Sequence, residues 1–326
     1  MIKVLITGSS GYIGNCLFQY LVTQKINVIG IDKNINIETK NNYKLNLLNK
    51  KKLDILLKKI NPEIVIHLAA QSLVDQSINK KKYYDNNNRA TINLINSMKK
   101  NNIKNIIFSS TAAVYKSKNK PIFEYDKLYP KSNYAKSKLH CENLIKKNNS
   151  LNYIILRFFN VCSALKQKRI FGEFHKPETH LIPTVVYKCL MKQNVFIYGN
   201  NFNTNDKTCV RNYIHIHDIC DAIFKSVKLI LKEKKSYIFN IGSNLNYSVQ
   251  DIINKCKKLL NIKVKTKIMK RRPGDIDYLS CNINKAKKKL NWSPNKSSIE
   301  NIIMDEKKWI DYFTKKGLKR RFKYYK

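Results

Sequence analysis

Met1-Ile2-Lys3-Val4-Leu5-Ile6-Thr7, followed at once by Gly8-Ser9-Ser10-Gly11-Tyr12-Ile13-Gly14, decides the fold. The first seven residues form an apolar run of strand length. Three glycines spaced three apart then stand between that strand and a helix-compatible segment. Glycine at these positions permits a tight turn and lets bare backbone approach a diphosphate seated on the amide-rich helix N-terminus. A second apolar run, Asn27-Val28-Ile29-Gly30-Ile31, ends in Asp32, eighteen residues beyond Gly14. A carboxylate there binds both ribose hydroxyls of an adenosine and repels a 2′-phosphate, so NAD is expected rather than NADP.

Working outward, strand-like and helical patterns alternate. Strands are expected at Val4–Thr7, Val28–Asp32, Glu63–Leu68, Asn105–Ser109 and Tyr153–Phe158, and helices near Tyr12–Gln24, Asn49–Ile60, Asn86–Lys100 and Asn133–Lys147. That order predicts an α/β fold with a doubly wound parallel, Rossmann-type sheet. Ligands of such sheets gather at the carboxyl ends of the strands, where Ser109-Ser110-Thr111 falls. After about Asn160 the alternation weakens. Residues 1–165 are therefore expected to form the dinucleotide-binding domain and 166–326 a smaller C-terminal α/β substrate lobe, with some chain crossing back.

Ser132-Asn133-Tyr134-Ala135-Lys136-Ser137-Lys138 carries the candidate chemistry. Tyr134 and Lys138 lie four apart and share one helical face. A free Tyr titrates near 10 and is a poor base at neutral pH. A nearby cation would stabilise the phenolate, and lowering the pKa by roughly three units corresponds to about 4 kcal/mol. The pair reads as a proton-transfer device.

The formal charge of +41 invites a nucleic-acid reading. Only eight of the 63 basic residues are Arg, the residue preferred for planar, bidentate recognition of phosphate and bases. The Lys is spread through every segment alongside Asn and Ile, which fits a solvated surface, and no nucleic-acid partner is expected. The basic end, Lys319 to Lys326, is expected to fray. No segment is apolar enough to span a bilayer and no leader is evident, so no membrane partner is expected. Eight scattered cysteines without a Cys-x-x-Cys indicate a reducing cytoplasm, neither a disulfide framework nor zinc. His175 and His180 have no third ligand spaced with them, so no metal is predicted, and a loop or uridine contact is expected instead. His215 and His217 alternate as on a strand, Tyr83-Tyr84 read as packing at a helix start, and Cys281 reads as a buried small apolar residue.

The glycine turn, the Ser109–Thr111 strand end and the Tyr134/Lys138 pair resemble, in order and spacing, the extended short-chain dehydrogenase/reductase family. Residues 172–183, Gly-Glu-Phe-His-Lys-Pro-Glu-Thr-His-Leu-Ile-Pro, are similar to the substrate loop of UDP-glucose 4-epimerases within it. So are Tyr198-Gly199-Asn200 running through to Val210-Arg211-Asn212-Tyr213-Ile214-His215, and Arg271-Arg272-Pro273-Gly274-Asp275. The resemblance spans essentially the whole chain. It implies an NAD site lined by Gly8, Gly11, Tyr12, Ile13, Gly14, Asp32, Lys33, Asn34, Leu68, Ala69, Ala70, Ser72, Asn86 and Phe159. Asn46-Leu47 stands where the family has Asp-Ile against the adenine. The catalytic set would be Tyr134, Lys138 and Thr111, Thr111 replacing the usual Ser. A UDP-hexose would be held by Asn160, His180, Leu181, Phe196, Ile197, Tyr198, Arg211, Arg272 and Asp275. Leu279 falls where some epimerases carry a bulky Tyr, so an N-acetylated sugar could also fit. Homodimers packed through helices of the first half are the family habit.

Rival readings are weaker. Sugar-nucleotide 4,6-dehydratases need an acidic pair after the strand-end hydroxyl, and here Ala112-Ala113 follow Thr111. A UDP-glucuronate epimerase would want an extra cation for the sugar carboxylate. A basic nucleic-acid-binding protein on a degenerate scaffold would not be expected to keep both Tyr134 and Lys138.

Overall fold

The computed structural model describes residues 1–35, 38–72, 79–173, 178–272 and 274–315. The expectations made for His175, Pro273 and the basic end from Lys319 lie outside those residues. In the first half the strands are β1 (Lys3–Thr7), β2 (Asn27–Asp32), β3 (Asn42–Lys44), β4 (Ile64–His67), β5 (Asn105–Thr111) and β6 (Asn152–Phe158). Between them run α1 (Tyr12–Thr23), α2 (Lys50–Ile60), α3 (Lys80–Tyr83), α4 (Ala90–Lys100) and α5 (Asn133–Lys146). The second half has shorter strands: β7 (Asn160–Cys162), β8 (Leu165–Lys166), β9 (Ile170–Phe171), β10 (Val195–Tyr198), β11 (Val210–His215), β12 (Tyr237–Ile241), β13 (Asn246–Ser248), β14 (Thr266–Met269) and β15 (Tyr278–Leu279). Its helices are α6 (Leu181–Leu190), α7 (Ile216–Glu233), α8 (Val249–Leu260), α9 (Asn284–Leu290) and α10 (Ile299–Lys315).

Seven strands form one parallel sheet in the order β12-β6-β5-β4-β1-β2-β3. The chain winds away from β1 in both directions, which opens a crevice at the carboxyl ends of β1 and β4. Alternate strand residues enter opposite cores, as the two-residue side-chain period requires. Val4, Ile6, Ile64 and Ile66 pack with Leu17 of α1 and Ile223 of α7, while Leu5, Val65, Ile106 and Phe108 pack with Leu53 of α2 and Leu94 of α4. Each fully buried Leu or Ile contributes about 1.5–3 kcal/mol of transfer free energy, so the alternation itself fixes the register. A third core lies among α6, α8 and α10.

Local signals set the helix starts. Asn49 caps α2 by accepting from the Lys52 amide, and Ser132 caps α5 by accepting from Ala135 at 3.1 Å. The Ser132 cap puts Tyr134 in the first turn of α5. Three features differ from the sequence reading. A π-helical turn, Tyr84–Arg89, joins α3 to α4 and carries Asn86 and Asn87, so the helical stretch begins at Lys80 rather than Asn86. His217 lies in α7, not on a strand, because His215 ends β11 and caps that helix by accepting from the His217 amide. β3 and β12 join the sheet although the alternation did not mark them: β3 has three residues, and β12 pairs with β6 from far along the chain. Tyr83 is buried and Tyr84 exposed, and all eight cysteines are buried and unbridged.

Candidate active site

The glycine turn closes as a bare-backbone cradle. Gly8 has φ +75°, and a Cβ there would lie 2.7 Å from the Ala69 nitrogen. A Cβ on Gly14 would lie 2.0 Å from the Gly8 carbonyl oxygen, so neither position admits a side chain. Gly11 stands at the N-cap of α1 with no side chain bonded over the helix end. The first-turn amides therefore point into the crevice, and a diphosphate fits them. Asp32, at the carboxyl end of β2, accepts from the Ser10 amide at 3.0 Å and the Asn34 amide at 2.9 Å. Those bonds fix the carboxylate at the rim of the cradle. Lys33 reaches Asn86 at 3.0 Å, bringing two of the expected cofactor residues together.

The loop after β4 backs onto the same cradle. Leu68 donates to the Thr7 carbonyl at 3.2 Å and Ala69 to the Thr7 hydroxyl at 3.3 Å, and Ala70 and Ser72 follow. Asn87, expected with Asp85 and Asn86 as a cofactor-side cap, is buried and ties this loop down: Oδ1 accepts from the Gln71 amide at 2.7 Å and Nδ2 donates to Ser137 of α5 at 2.8 Å. His67 was missed. It links Thr7 to Thr91 through its two ring nitrogens at 2.7 and 3.0 Å, and burial, reinforced by Lys138, pulls its pKa down to about 3. A neutral imidazole is thus locked between two hydroxyls. The sequence signal for His67 was a His closing a buried strand.

Thr111 ends β5, and its hydroxyl accepts from the Ala113 amide at 3.2 Å. Burial pushes Tyr134 up to about 12; the Thr111 hydroxyl pulls the other way, and Tyr83 adds to the rise. Lys138, one turn further along α5, is 3 % exposed, and burial pushes it down to about 8. Its ammonium sits 4.4 Å from the centre of the Phe108 ring. The sequence reading had Lys138 acidifying Tyr134. The protein's own groups act in the opposite sense, because burial disfavours both charges and Lys138 faces an aromatic ring.

The expected sugar-nucleotide residues converge from other elements. Asp275 lies 3.8 Å from the Arg211 guanidinium and 3.2 Å from that of Arg272, which also stacks 4.9 Å from the Tyr198 ring. Leu279 of β15 pairs directly with Arg211 of β11. Asn160 is anchored by donating to the Asn212 carbonyl at 2.7 Å. Arg271, by contrast, is spent on Phe202 at 3.9 Å and Asp277 at 3.1 Å. His180 and Leu181 open α6, with the His180 Nδ1 edge turned to Glu173 and Glu178. That corrects the expectation of no further ligand-type group beside His180: folding brings the carboxylates in. Leu47, Ile197 and Phe159 are buried in cores, and Phe196 carries the Lys188 ammonium at 4.0 Å. Asn46 spends its Oδ1 on the Leu48 amide, Ile13 packs on the core, and Tyr12 donates to the Ser163 carbonyl.

Residues 4–242 match the NAD dependent epimerase/dehydratase family. The chain is 34% identical over 320 residues to a UDP-glucose 4-epimerase of Lactobacillus helveticus, covering 94% of this chain and 96% of the relative. It is 33% identical to a UDP-glucose 4-epimerase of Halalkalibacterium halodurans, covering 94% and 95%. Among solved structures it superposes with a TM-score of 0.86 and 29% identity on UDP-glucose 4-epimerase from Bifidobacterium longum in complex with NAD+ and UDP, covering 95% and 98%. The α/β fold with its large parallel sheet is shared.

Proposed function

The chain belongs to the NAD-dependent epimerase/dehydratase family, and from that premise we propose that it is a UDP-glucose 4-epimerase, interconverting UDP-glucose and UDP-galactose. The observation that carries this reading is Tyr134 in the first turn of α5, acted on by the Thr111 hydroxyl at the carboxyl end of β5 and one turn from buried Lys138. A proton-transfer group there stands where the fold gathers its ligands.

In this reading the glycine cradle and Asp32 hold NAD, whose fit is supported by the absence of room for any side chain at Gly8 and Gly14. When bound, NAD supplies a hydride acceptor at a cationic nicotinamide, which also favours a phenolate nearby. Tyr134 takes the proton from the sugar 4-hydroxyl and returns it, while Thr111 bonds both that phenol and the sugar. Lys138 brings a buried ammonium, seated on the Phe108 ring, one turn from that phenol. Arg211 and Arg272, braced by Asp275, clamp the diphosphate, where two guanidiniums give bidentate recognition that Lys cannot. The clamp lets the UDP end stay bound while the oxidised sugar presents its other face. Leu279, beside Arg211, leaves more room near the sugar than Tyr would, which supports acceptance of N-acetylated UDP-hexoses. Buried, unbridged cysteines support a cytoplasmic setting, and we include the homodimer habit of the relatives in the proposal.

The test follows purified protein spectroscopically as UDP-glucose is added, together with coupled assay of UDP-galactose. Reduced nicotinamide should appear on bound cofactor without free NAD being consumed. Tyr134→Phe should lose about 10²–10⁴-fold in turnover while retaining NAD. Near-full activity in that variant overturns the assignment.

A further inference from the structure

Five buried side chains, Thr7, His67, Asn87, Thr91 and Ser137, form one hydrogen-bonded chain between the cofactor cradle and α5. Thr7 and His67 end the neighbouring strands β1 and β4 and are register partners. Thr91 stands in the first turn of α4.

The chain has one direction. Thr91 has a single hydroxyl proton, and the 2.6 Å bond to the Asn87 carbonyl takes it; the Cys141 sulfur is a looser neighbour at 3.3 Å. The Thr91 oxygen, 3.0 Å from His67 Nε2, therefore accepts, and Nε2 carries the ring proton. At the other end the Ala69 amide donates to Thr7 Oγ1 at 3.3 Å, and Thr7 gives its own proton to Nδ1 at 2.7 Å. The neutral Nε2–H ring satisfies all of these contacts. A second ring proton would sit against the Thr7 hydroxyl. It would also place a cation 5.6 Å from the Phe108 ring, which already carries the Lys138 ammonium at 4.4 Å. Burial and the Lys138 field both disfavour that form.

Loop and helix meet at Asn87. Its side chain accepts from the Gln71 amide at 2.7 Å and donates to the Ser137 hydroxyl at 2.8 Å, and Ser137 donates to the Tyr134 carbonyl at 2.7 Å. The loop behind the glycine cradle is thus held at Ala69 and Gln71, and α5 is held at the turn between Tyr134 and Lys138.

We propose that His67, fixed as the neutral Nε2–H tautomer, is a positioning residue for the proton-transfer pair, setting the span from the cradle loop to the turn bearing Tyr134 and Lys138. It acts through Thr7 and Thr91 rather than on the sugar. The inference deepens the epimerase reading and rests on it for its kinetic part alone. Proton and hydride transfer demand close alignment, so loosening this span lowers turnover while the clamp on the UDP end is untouched.

The tautomer is read by NMR on full-length, NAD-loaded protein labelled with ¹⁵N-histidine. The chain has six histidines, and the signal that His67→Phe removes identifies this one. Nε2 should be protonated and Nδ1 bare, unchanged from about pH 5 to pH 8, where an ordinary histidine titrates. A ring protonated at Nδ1, or one that titrates in that window, overturns the inference. Kinetics are then read per folded, NAD-loaded chain, so loss of folded protein is not counted. Thr91→Val keeps the shape and breaks the chain: kcat for UDP-glucose should fall about 10–100-fold, with KM within about twofold. Thr91→Ser keeps the hydroxyl and should hold turnover within about threefold of the parent. His67→Phe should follow Thr91→Val, and if it fails to fold the Thr91 variants still decide. Turnover within about twofold of the parent in Thr91→Val, or equal losses in the Val and Ser variants, overturns the positioning role. An inactive parent with the tautomer in place counts against the epimerase reading, and the rate of NAD release then decides the positioning role. Release should be about fivefold faster in Thr91→Val and unchanged in Thr91→Ser; equal rates in parent and Thr91→Val overturn it.

Discussion

Lys138 and Arg157 are cations 3 % and 2 % exposed, buried beside the same helix, and their surroundings could hardly differ more. Arg157 of β6 meets Glu142 of α5 through two nitrogens at 2.9 and 2.7 Å. Its third donor reaches the Tyr115 hydroxyl at 2.7 Å. Glu142 takes a further bond from Ser110, and Tyr115 donates onward to Asn240 at 2.7 Å. Lys138, one turn before Glu142, has the Phe108 ring beneath its ammonium, and burial takes its pKa down to about 8 against the opposing fields of Cys141 and Glu142. The contrast separates a pair that holds the sheet to α5 from a charge kept exposed to chemistry. Glu142 is near enough to both, yet its oxygens are committed to Arg157 and Ser110.

Breaking the committed pair should give the largest change. Glu142→Gln keeps the shape but leaves Arg157 buried without its counter-charge, a loss of about 3–5 kcal/mol. Urea unfolding of the variant measures it. Adding Arg157→Met should recover much of that loss, since a well-packed apolar pair can match a buried ion pair. If Glu142→Gln unfolds like the parent, the two cations are not as different as the geometry says.

How much of this was legible beforehand follows the same division. Gly8, Gly11, Gly14 and Asp32 were readable because their roles are set by backbone and by position at a strand end. The strands β1, β2, β4, β5 and β6 were readable because both faces are apolar and bounded by turn residues. Arg157, Glu142, Tyr115 and Asn240 were not, because they meet across residues 115 to 240 and no spacing encodes the encounter. The carboxylates at Glu173 and Glu178 were within a few residues of His180 and still escaped notice, since no helix or strand period puts them at one ring edge. The direction of the Tyr134 shift failed for another reason: helical spacing put Lys138 on the right face, but burial outweighs the expected charge effect.

The uncommitted cation supplies the next test. The folded pKa of Lys138, about 8, lies below the model-peptide value near 10.4, so the folded state sheds its proton first. The burden is fully present below about pH 8, and stability rises with pH through the window between the two values. The gap is worth roughly 3 kcal/mol. In protein freed of nucleotide, Lys138→Met should therefore be more stable than the parent at pH 7 by up to about that amount, and lose the advantage by pH 10.5 or so. Turnover should vanish in the same variant. A Met variant less stable at pH 7 would mean that Lys138 is satisfied after all.

The smallest effect should come from the outer member of the committed network. Tyr115→Phe removes one hydroxyl that accepts from Arg157 and donates to Asn240, while Glu142 still holds the guanidinium by two bonds. Loss of such a buried bond near a charge costs about 1–3 kcal/mol. Asn240 keeps its bond to the Ile122 carbonyl at 2.9 Å, so the strand β12 edge should stay in place. Turnover should remain within about twofold of the parent, because nothing in this network touches Tyr134 or Thr111. Thermal melting and the UDP-glucose assay read the two quantities separately. A stability loss accompanied by a large drop in turnover would show that the Arg157 network positions α5 for catalysis, and the division between the two buried cations would then be one of degree.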